Sequence, residues 1–248
     1  MSEEIKIGSL FATLPPYLEP YACECEYPWE LIARVEEIVG ELLTHAPEGY
    51  REIEKGILVG ENVRIADSAR IEPPAIIGKN SEIRHGAYLR GNVIVGENCV
   101  IGNSSEIKSA ILLDRVQVPH YNYVGNSMLG RGAHLGAGAI CSNLKSDGSN
   151  VIVHTEDKSY NTGMRKLGAI LGDGSNVIVH TEDNSHNTGM RKLGAILGDG
   201  VEIGCGCVLA PGCIVGKNTT SYPLTFLRGT IPENSIVKSM KEIVEKRI

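Results

Sequence analysis

Aromatic side chains are scarce in this chain. They make up 5% of 248 residues, with one tryptophan and two phenylalanines. A core of the usual mixed kind is not expected from so few rings. No apolar run reaches the roughly 18 residues that cross a bilayer, so no membrane partner is expected. The opening stretch MSEEIKIGSL has no basic segment leading into a hydrophobic one. That argues against a secretion signal and for the cytoplasm. The net charge is −6 and no basic stripe is present, which argues against nucleic acid as a partner. The seven cysteines are an odd number, and reduced thiols are the default in such a setting. The C-x-C pairs Cys23/Cys25 and Cys205/Cys207 lack a second pair at zinc-ribbon spacing, so no metal is expected.

Glycine is plentiful, with 29 residues, and the aliphatics are periodic. Stepping by six from Val59 meets Ile65, Ile71, Ile77, Ile83, Leu89, Val95, Ile101 and Ile107. Four residues after each stands a mostly small residue: Val63, Ala69, Ala75, Ser81, Ala87, Val93, Cys99 and Ser105. The pattern returns in LGDGVEIGCGCVLAPGCIVGKNTT, residues 197–220. A period of six fits neither an amphipathic helix nor a hairpin array. It predicts an all-β solenoid, a left-handed parallel β-helix of hexapeptide repeats. Each hexad gives a short strand and a turn, three hexads close a coil of about 18 residues, and coils bond only to their neighbours. Cys99, Cys207 and Cys213 then fall at the small inward position, as compact hydrophobes.

Residues 28–47, PWELIARVEEIVGELLTHAP, carry apolar side chains at helical spacing and end at a proline. They predict a helix that caps the open first coil. The expected organisation is a helical cap over 1–58, the β-helix over 59–222, and a C-terminal strand and short helix over 223–248. Residues 148–173 and 174–199 are tandem copies that differ only at Lys158/Asn184 and Tyr160/His186. A recent duplication or a deliberate insertion explains them. Solenoids accept inserted units, so the second copy is expected to add a whole coil. Leu171, Val177 and Leu197 would be buried in it, and everything beyond would move by one rung, about 4.8 Å.

Residues 18 apart stack in such a coil. Arg90 and Lys108 are such a pair, and stacked cations call for an anion. A phosphate would serve, and so would a carboxylate such as Glu106. The hexad then slips twice, from Ile107 to Leu112 and from Val124 to Leu129. The broken stretch carries His120, Tyr121, Asn122 and Tyr123. Local rules yield where function demands it, and histidine is a common general base near neutral pH.

The run from Arg90 through VPHYNYVGN and LGRGAHLGAGAICSN to Asn143 resembles a known domain. This is the acetyltransferase domain of bifunctional N-acetylglucosamine-1-phosphate uridylyltransferases. NTGMRKLGAILGD is similar to related sugar-1-phosphate nucleotidylyltransferases with an acetyltransferase tail. The likeness covers roughly residues 59–217. It implies an acetyl-CoA-dependent N-acetyltransferase in UDP-N-acetylglucosamine biosynthesis, acting on an amino-sugar 1-phosphate such as glucosamine 1-phosphate. It also implies a homotrimer with sites shared between subunits. It places Arg90 and Lys108 on the sugar phosphate and Tyr123 on the substrate. His120 becomes the general base, and Asn143 orients the amine. Ala137 and Cys205 pack against the coenzyme.

Four departures accompany the likeness. Residues 1–58 hold no glycine-rich phosphate loop, so uridylyl transfer is not expected. His134 stands where the domain has a sugar-contacting asparagine. Ser149 stands where it has a lysine, for which Lys145, Lys166 or Lys192 could substitute. Residues 219–235 do not continue the small-residue hexads. Two other readings therefore stay open: a sugar-phosphate or sugar-nucleotide binding protein without catalysis, and a trimeric scaffold carrying a duplication.

Overall fold

A computed structural model describes residues 5–144, 148–155, 159–171, 185–187, 192–210, 213–239 and 242–245. The chain winds into a parallel β-solenoid of about eight rungs with three faces. Face A is built from Ile57–Val59, Ala75–Ile77, Val93–Val95, Ala110–Leu112, Met128–Leu129, the segment Lys192–Leu197, Ile214–Val215 and Thr230–Ile231. Face B runs from Arg64–Ile65 to Ser235–Ser239, and face C from Arg70–Glu72 to Phe226–Leu227. The inward aliphatics of the hexads stack on one another. Ile77, Leu89, Val95, Ile101 and Ile107 are all buried in one continuous core with Cys99, Cys207 and Cys213. Burial holds the Cys213 thiol well above its usual range. The rungs lie so close that a Cβ on Gly102 would sit 1.6 Å from the Pro119 carbonyl oxygen. Only glycine fits there.

The N-terminal helices do not cap the solenoid. Helices α1 (Ile7–Leu10), α2 (Glu19–Ala22), α3 (Pro28–Ala33) and α4 (Val35–Thr44) lie along the outside of face A. Trp29, Leu31, Ile38 and Val39 are buried there with Leu58, Ile76, Ile94, Ile111, Met128 and Ile214. The reason is written in face A itself, whose strands carry aliphatics on both sides. Such a face must be covered, and the helices cover it. The first rung stays open on the other two faces, where Val63, Ile65, Ala69 and Ile71 are only partly buried. On face A, Arg51–Glu54 pairs antiparallel with Ile57–Val59 and closes that edge.

The C-terminus also differs from expectation. The rungs continue past residue 222, with Thr219, Thr225 and Ser235 buried as the small inward residues. The Thr219 hydroxyl, for example, donates to the Pro232 carbonyl at 2.7 Å. In place of the expected helix, Glu242–Glu245 is a strand. It pairs antiparallel with Ser235–Ser239 and ends the solenoid.

The second copy adds no full coil. On face B, His134 pairs directly with Glu202, and on face C, Ile140 pairs directly with Val208. Both partners follow residue 199, so neither face gains a rung from 148–199. On face A the KLGAIL segments of both copies converge. Lys166 pairs with Lys192, and both Ile170 and Ile196 pair with Ile214. Leu197 is buried. Leu171 has its backbone in a strand, and Val177 lies outside the described residues. An excursion from one corner suffices because the ladder of the other two faces closes across it.

Candidate functional site

Both slips of the hexad fall at the corner between faces C and A. Ile107 pairs with Val124 and Leu112 with Leu129, so the coil is one residue short of eighteen there. The shortened turns pass through Ser109 and Asn126 in left-handed conformation, with φ of 47° and 49°. Four of the residues singled out from the sequence gather at this corner: Arg90, Lys108, Tyr123 and Asn143.

Arg90 donates to Glu106 at 2.6 Å and lies 5.9 Å over the Tyr88 ring. The carboxylate therefore takes part of the charge of the stacked pair. Lys108, by contrast, makes no ion pair among the described residues. Burial lowers its pKa, and the neighbouring cations Arg90 and Lys166 lower it further. Lys166 arrives from the first copy of the duplication, where the Gly168 amide bonds to the Asn126 carbonyl at 2.8 Å. Of the three lysines that could replace the one missing at Ser149, Lys166 lies beside Lys108, and Lys145 lies outside the described residues.

The Asn143 amide donates to the Tyr123 hydroxyl at 3.1 Å and to the Asn126 side-chain oxygen at 2.9 Å. Burial raises the Tyr123 pKa, and Glu106 adds to this. Gly125 makes the arrangement possible. A Cβ there would lie 2.5 Å from the Tyr123 hydroxyl and 2.6 Å from the Asn143 amide nitrogen. Sequence reasoning passed over Gly125. Its signal was a glycine one residue after the inward Val124, inside the break.

His120, Ala137 and Cys205 form a second group at the opposite corner, between faces B and C. The Gly138 amide donates to the His120 carbonyl at 3.0 Å, and the Gly206 amide to the Ala137 carbonyl at 2.7 Å. The three residues thus occupy consecutive rungs. His120 and Cys205 are exposed, and the His120 ring makes no hydrogen bond among the described residues. The expected displacement of the far half by a rung does not occur, since Cys205 follows Ala137 directly.

Buried Asn122 holds this corner; the sequence places it in the broken stretch but assigns it no role. Its oxygen accepts from the His120 amide at 3.0 Å. Its nitrogen donates to the carbonyls of Gly136 at 2.8 Å and Ala139 at 3.2 Å. It thereby fixes the backbone on either side of Tyr121, whose φ is 52°.

Face C joins the corners. At about 3.3 Å per residue its three-residue strands are roughly 10 Å wide. Its outward side chains run in register from Tyr88 through Glu106, Tyr123, Ile140 and Val208 to Phe226. His120 and Asn143 therefore stand at opposite edges of one face. His134 joins neither group. It points outward from face B, between Gln117 and Glu202.

Comparison with known proteins bears on this arrangement. Residues 71–173 match the family model described as the GMPPB C-terminal domain. The bifunctional protein GlmU of Methanococcus maripaludis is 30% identical over 143 residues, 58% of this chain and 28% of that protein. A bifunctional sugar-1-phosphate nucleotidylyltransferase/acetyltransferase of Sulfurisphaera tokodaii is 37% identical over 71 residues, 29% of this chain and 18% of that protein. This chain resembles the acetyltransferase domain of the GlmU proteins. It spans less than a third of the length of the curated relatives it matches. Among solved structures, a mutant of AntD, an N-acyltransferase from Bacillus cereus in complex with dTDP and coenzyme A, aligns with a TM-score of 0.38. The identity is 15%, covering 77% of this chain and 86% of that one. The acetyltransferase domain of PglB from Neisseria gonorrhoeae aligns at 0.24, with 13% identity over 75% and 56% of the two chains.

Proposed function

We propose that this protein is an N-acetyltransferase that moves an acetyl group from acetyl-CoA to the amine of an amino-sugar 1-phosphate. The observation that carries the reading is the division of face C. One edge holds cations with an amide and a phenol, and the other holds an exposed imidazole above small residues. The phosphate sits among Arg90, Lys108 and Lys166, where Lys108 has no carboxylate of its own and a dianion satisfies it. Tyr123 and Asn143 bond the sugar hydroxyls, so Asn143, at the edge opposite His120, takes a sugar-binding part in this reading in place of orienting the amine.

The amine lies toward His120, which takes its proton as the nitrogen attacks the thioester carbonyl. The new C–N bond forms, the C–S bond breaks, and the coenzyme thiolate leaves to be protonated. Ala137 and Cys205, with Gly138 and Gly206 beside them, leave room for the coenzyme along the corner. The site is open in a single chain. Ile140, Val208 and Phe226 continue face C as an apolar strip, with Val208 and Phe226 exposed. A homotrimer that lays face B of one subunit on this strip would bring a neighbour's His134 to the sugar and shut out water.

The second reading is binding without catalysis. It is favoured by the His120 ring, which has no carboxylate to orient it among the described residues. One assay separates the two. The protein is incubated with acetyl-CoA and glucosamine 1-phosphate, and the products are read by mass spectrometry. Acetylated sugar phosphate is expected, with loss in His120→Ala. No product, or equal product from His120→Ala, overturns the catalytic reading.

A further inference from the structure

The two copies of the duplication are nearly identical, yet the first is held by a specific contact. Ile152–His154 pairs antiparallel with Ser159–Asn161, which sets Val153 opposite Tyr160. Tyr160 is 3% exposed. Its ring lies 5.3 Å from Tyr27 and 6.0 Å from Trp29, and those two rings stack at 4.5 Å. Val151, Val153, Met164 and Leu167 are buried in the same cluster as the N-terminal helices. The Thr230 hydroxyl donates to the His154 carbonyl from the other side. The first hairpin is therefore docked on the flank of face A, beneath the helical segment.

The second copy offers the same hairpin sequence with two changes, Asn184 for Lys158 and His186 for Tyr160. Its Ser185–Asn187 backbone runs parallel to Ser159–Asn161, with His186 opposite Tyr160. A buried slot against a stacked indole and phenol favours another large ring in tilted contact. Imidazole covers less of that surface and brings ring nitrogens that need partners once buried. Of the two differences between the copies, the one at the aromatic slot thus falls where it matters most.

We propose that Tyr160 selects which copy docks beneath the helical segment, and so sets Lys166 at the cation cluster. Tyr160 is a positioning residue. Five residues of chain, 161–165, link it to Lys166. They are pinned by the Thr162 hydroxyl to the Val151 carbonyl at 2.7 Å and by Arg165 to the Gly148 carbonyl at 3.0 Å. The docking choice stands by itself, while the choice of lysine rests on the function proposed above.

The test uses full-length Tyr160→His, His186→Tyr, the double exchange, and Tyr160→Phe. Trp29 is the single tryptophan and is wholly buried, its indole nitrogen without a hydrogen-bond partner among the described residues, so its emission reports packing. Hydrogen exchange by mass spectrometry adds the location, because the two differing positions give the copies peptides of different mass. Tyr160→His is expected to shift Trp29 emission to the red and to speed exchange over residues 151–164 about tenfold or more. Tyr160→Phe keeps the ring and leaves both unchanged, whereas His186→Tyr keeps the emission and divides the protection between residues 151–164 and 177–190. The double exchange restores the emission, with the protection now on residues 177–190.

Unchanged emission and protection in Tyr160→His would overturn the proposal. So would a double exchange that fails to recover what Tyr160→His loses. The lysine is read separately by titrating glucosamine 1-phosphate. Lys166→Ala is expected to weaken binding in the parent, and Lys192→Ala in the double exchange. If the parent binds no sugar phosphate, the functional reading fails while the docking result stands.

Discussion

Cys205 lies on the rung next to Ala137, bonded through the Gly206 amide at 2.7 Å, although both copies of the duplication stand between them in the chain. The long excursion leaves the corner ladder of His120, Ala137 and Cys205 intact. Cys205 is exposed, whereas Cys99, Cys141, Cys207 and Cys213 are buried. Burial pushes the Cys141 thiol up to about 12. Alkylation in the native state is therefore expected at Cys205 and at exposed Cys23 and not at the four core thiols, as peptide mass mapping would report. Acetyl-CoA added beforehand should slow the reaction at Cys205 and leave Cys23 unaffected. Equal protection of both, or of neither, argues against a coenzyme at this corner.

Gly125→Ala should separate binding from folding. The new methyl displaces both Tyr123 and Asn143, while the ladder on either side keeps its backbone bonds. Each hydrogen bond lost from a bound sugar costs about 1 kcal/mol. KM for the sugar phosphate should rise several-fold to tenfold, with little change in thermal midpoint. An unaltered KM would show that the pair does not touch substrate.

Asn122→Ala leaves the His120 amide without its partner and the Gly136 and Ala139 carbonyls with one bond fewer each. The expected loss of stability is about 1–3 kcal/mol, measured by denaturant unfolding. The rate should fall further than this alone explains, because Asn122 fixes the backbone that carries His120. Loss of stability with kcat unchanged would confine Asn122 to the core.

Lys108 gives the pH dependence its sign. Burial and the adjacent cations Arg90 and Lys166 set its pKa below the ordinary lysine value. The ammonium is therefore lost at a lower pH than in a free side chain, and affinity for a phosphate dianion should fall as pH rises through that lowered value. On the acid side, affinity should rise with the second ionisation of the phosphate, near about 6. Calorimetry across this range would show a bell. In Lys108→Met the alkaline limb should move to higher pH, and an unmoved limb would assign it to another group.

Much of the fold was legible because the solenoid repeats. Once Val59 and its successors fix the period, Arg90 and Lys108 must stack, and His120 must lie one corner away. What the period leaves open is how each face is finished. The helix over residues 28–47 had an apolar stripe, but a stripe says only that something covers it. The missing clue was in Ile76, Ile94 and Ile111, the outward aliphatics that recur on every third hexad and call for a cover on face A alone. The C-terminal strand was misread for a related reason, since an antiparallel end strand and a short helix share the pattern KEIVEK. The site split by chemistry. Charged and aromatic residues announced themselves, whereas Asn122 and Gly125 act through backbone contacts that only the fold brings together.

The corner that carries the duplication has one more consequence. Residues 148–199 leave and rejoin the solenoid where His134 still meets Glu202 and Ile140 still meets Val208. Register on those faces is indifferent to how much chain departs between them. This junction is a natural port for cargo. A reporter peptide or a small folded module spliced there should ride on the scaffold without disturbing the rungs on either side.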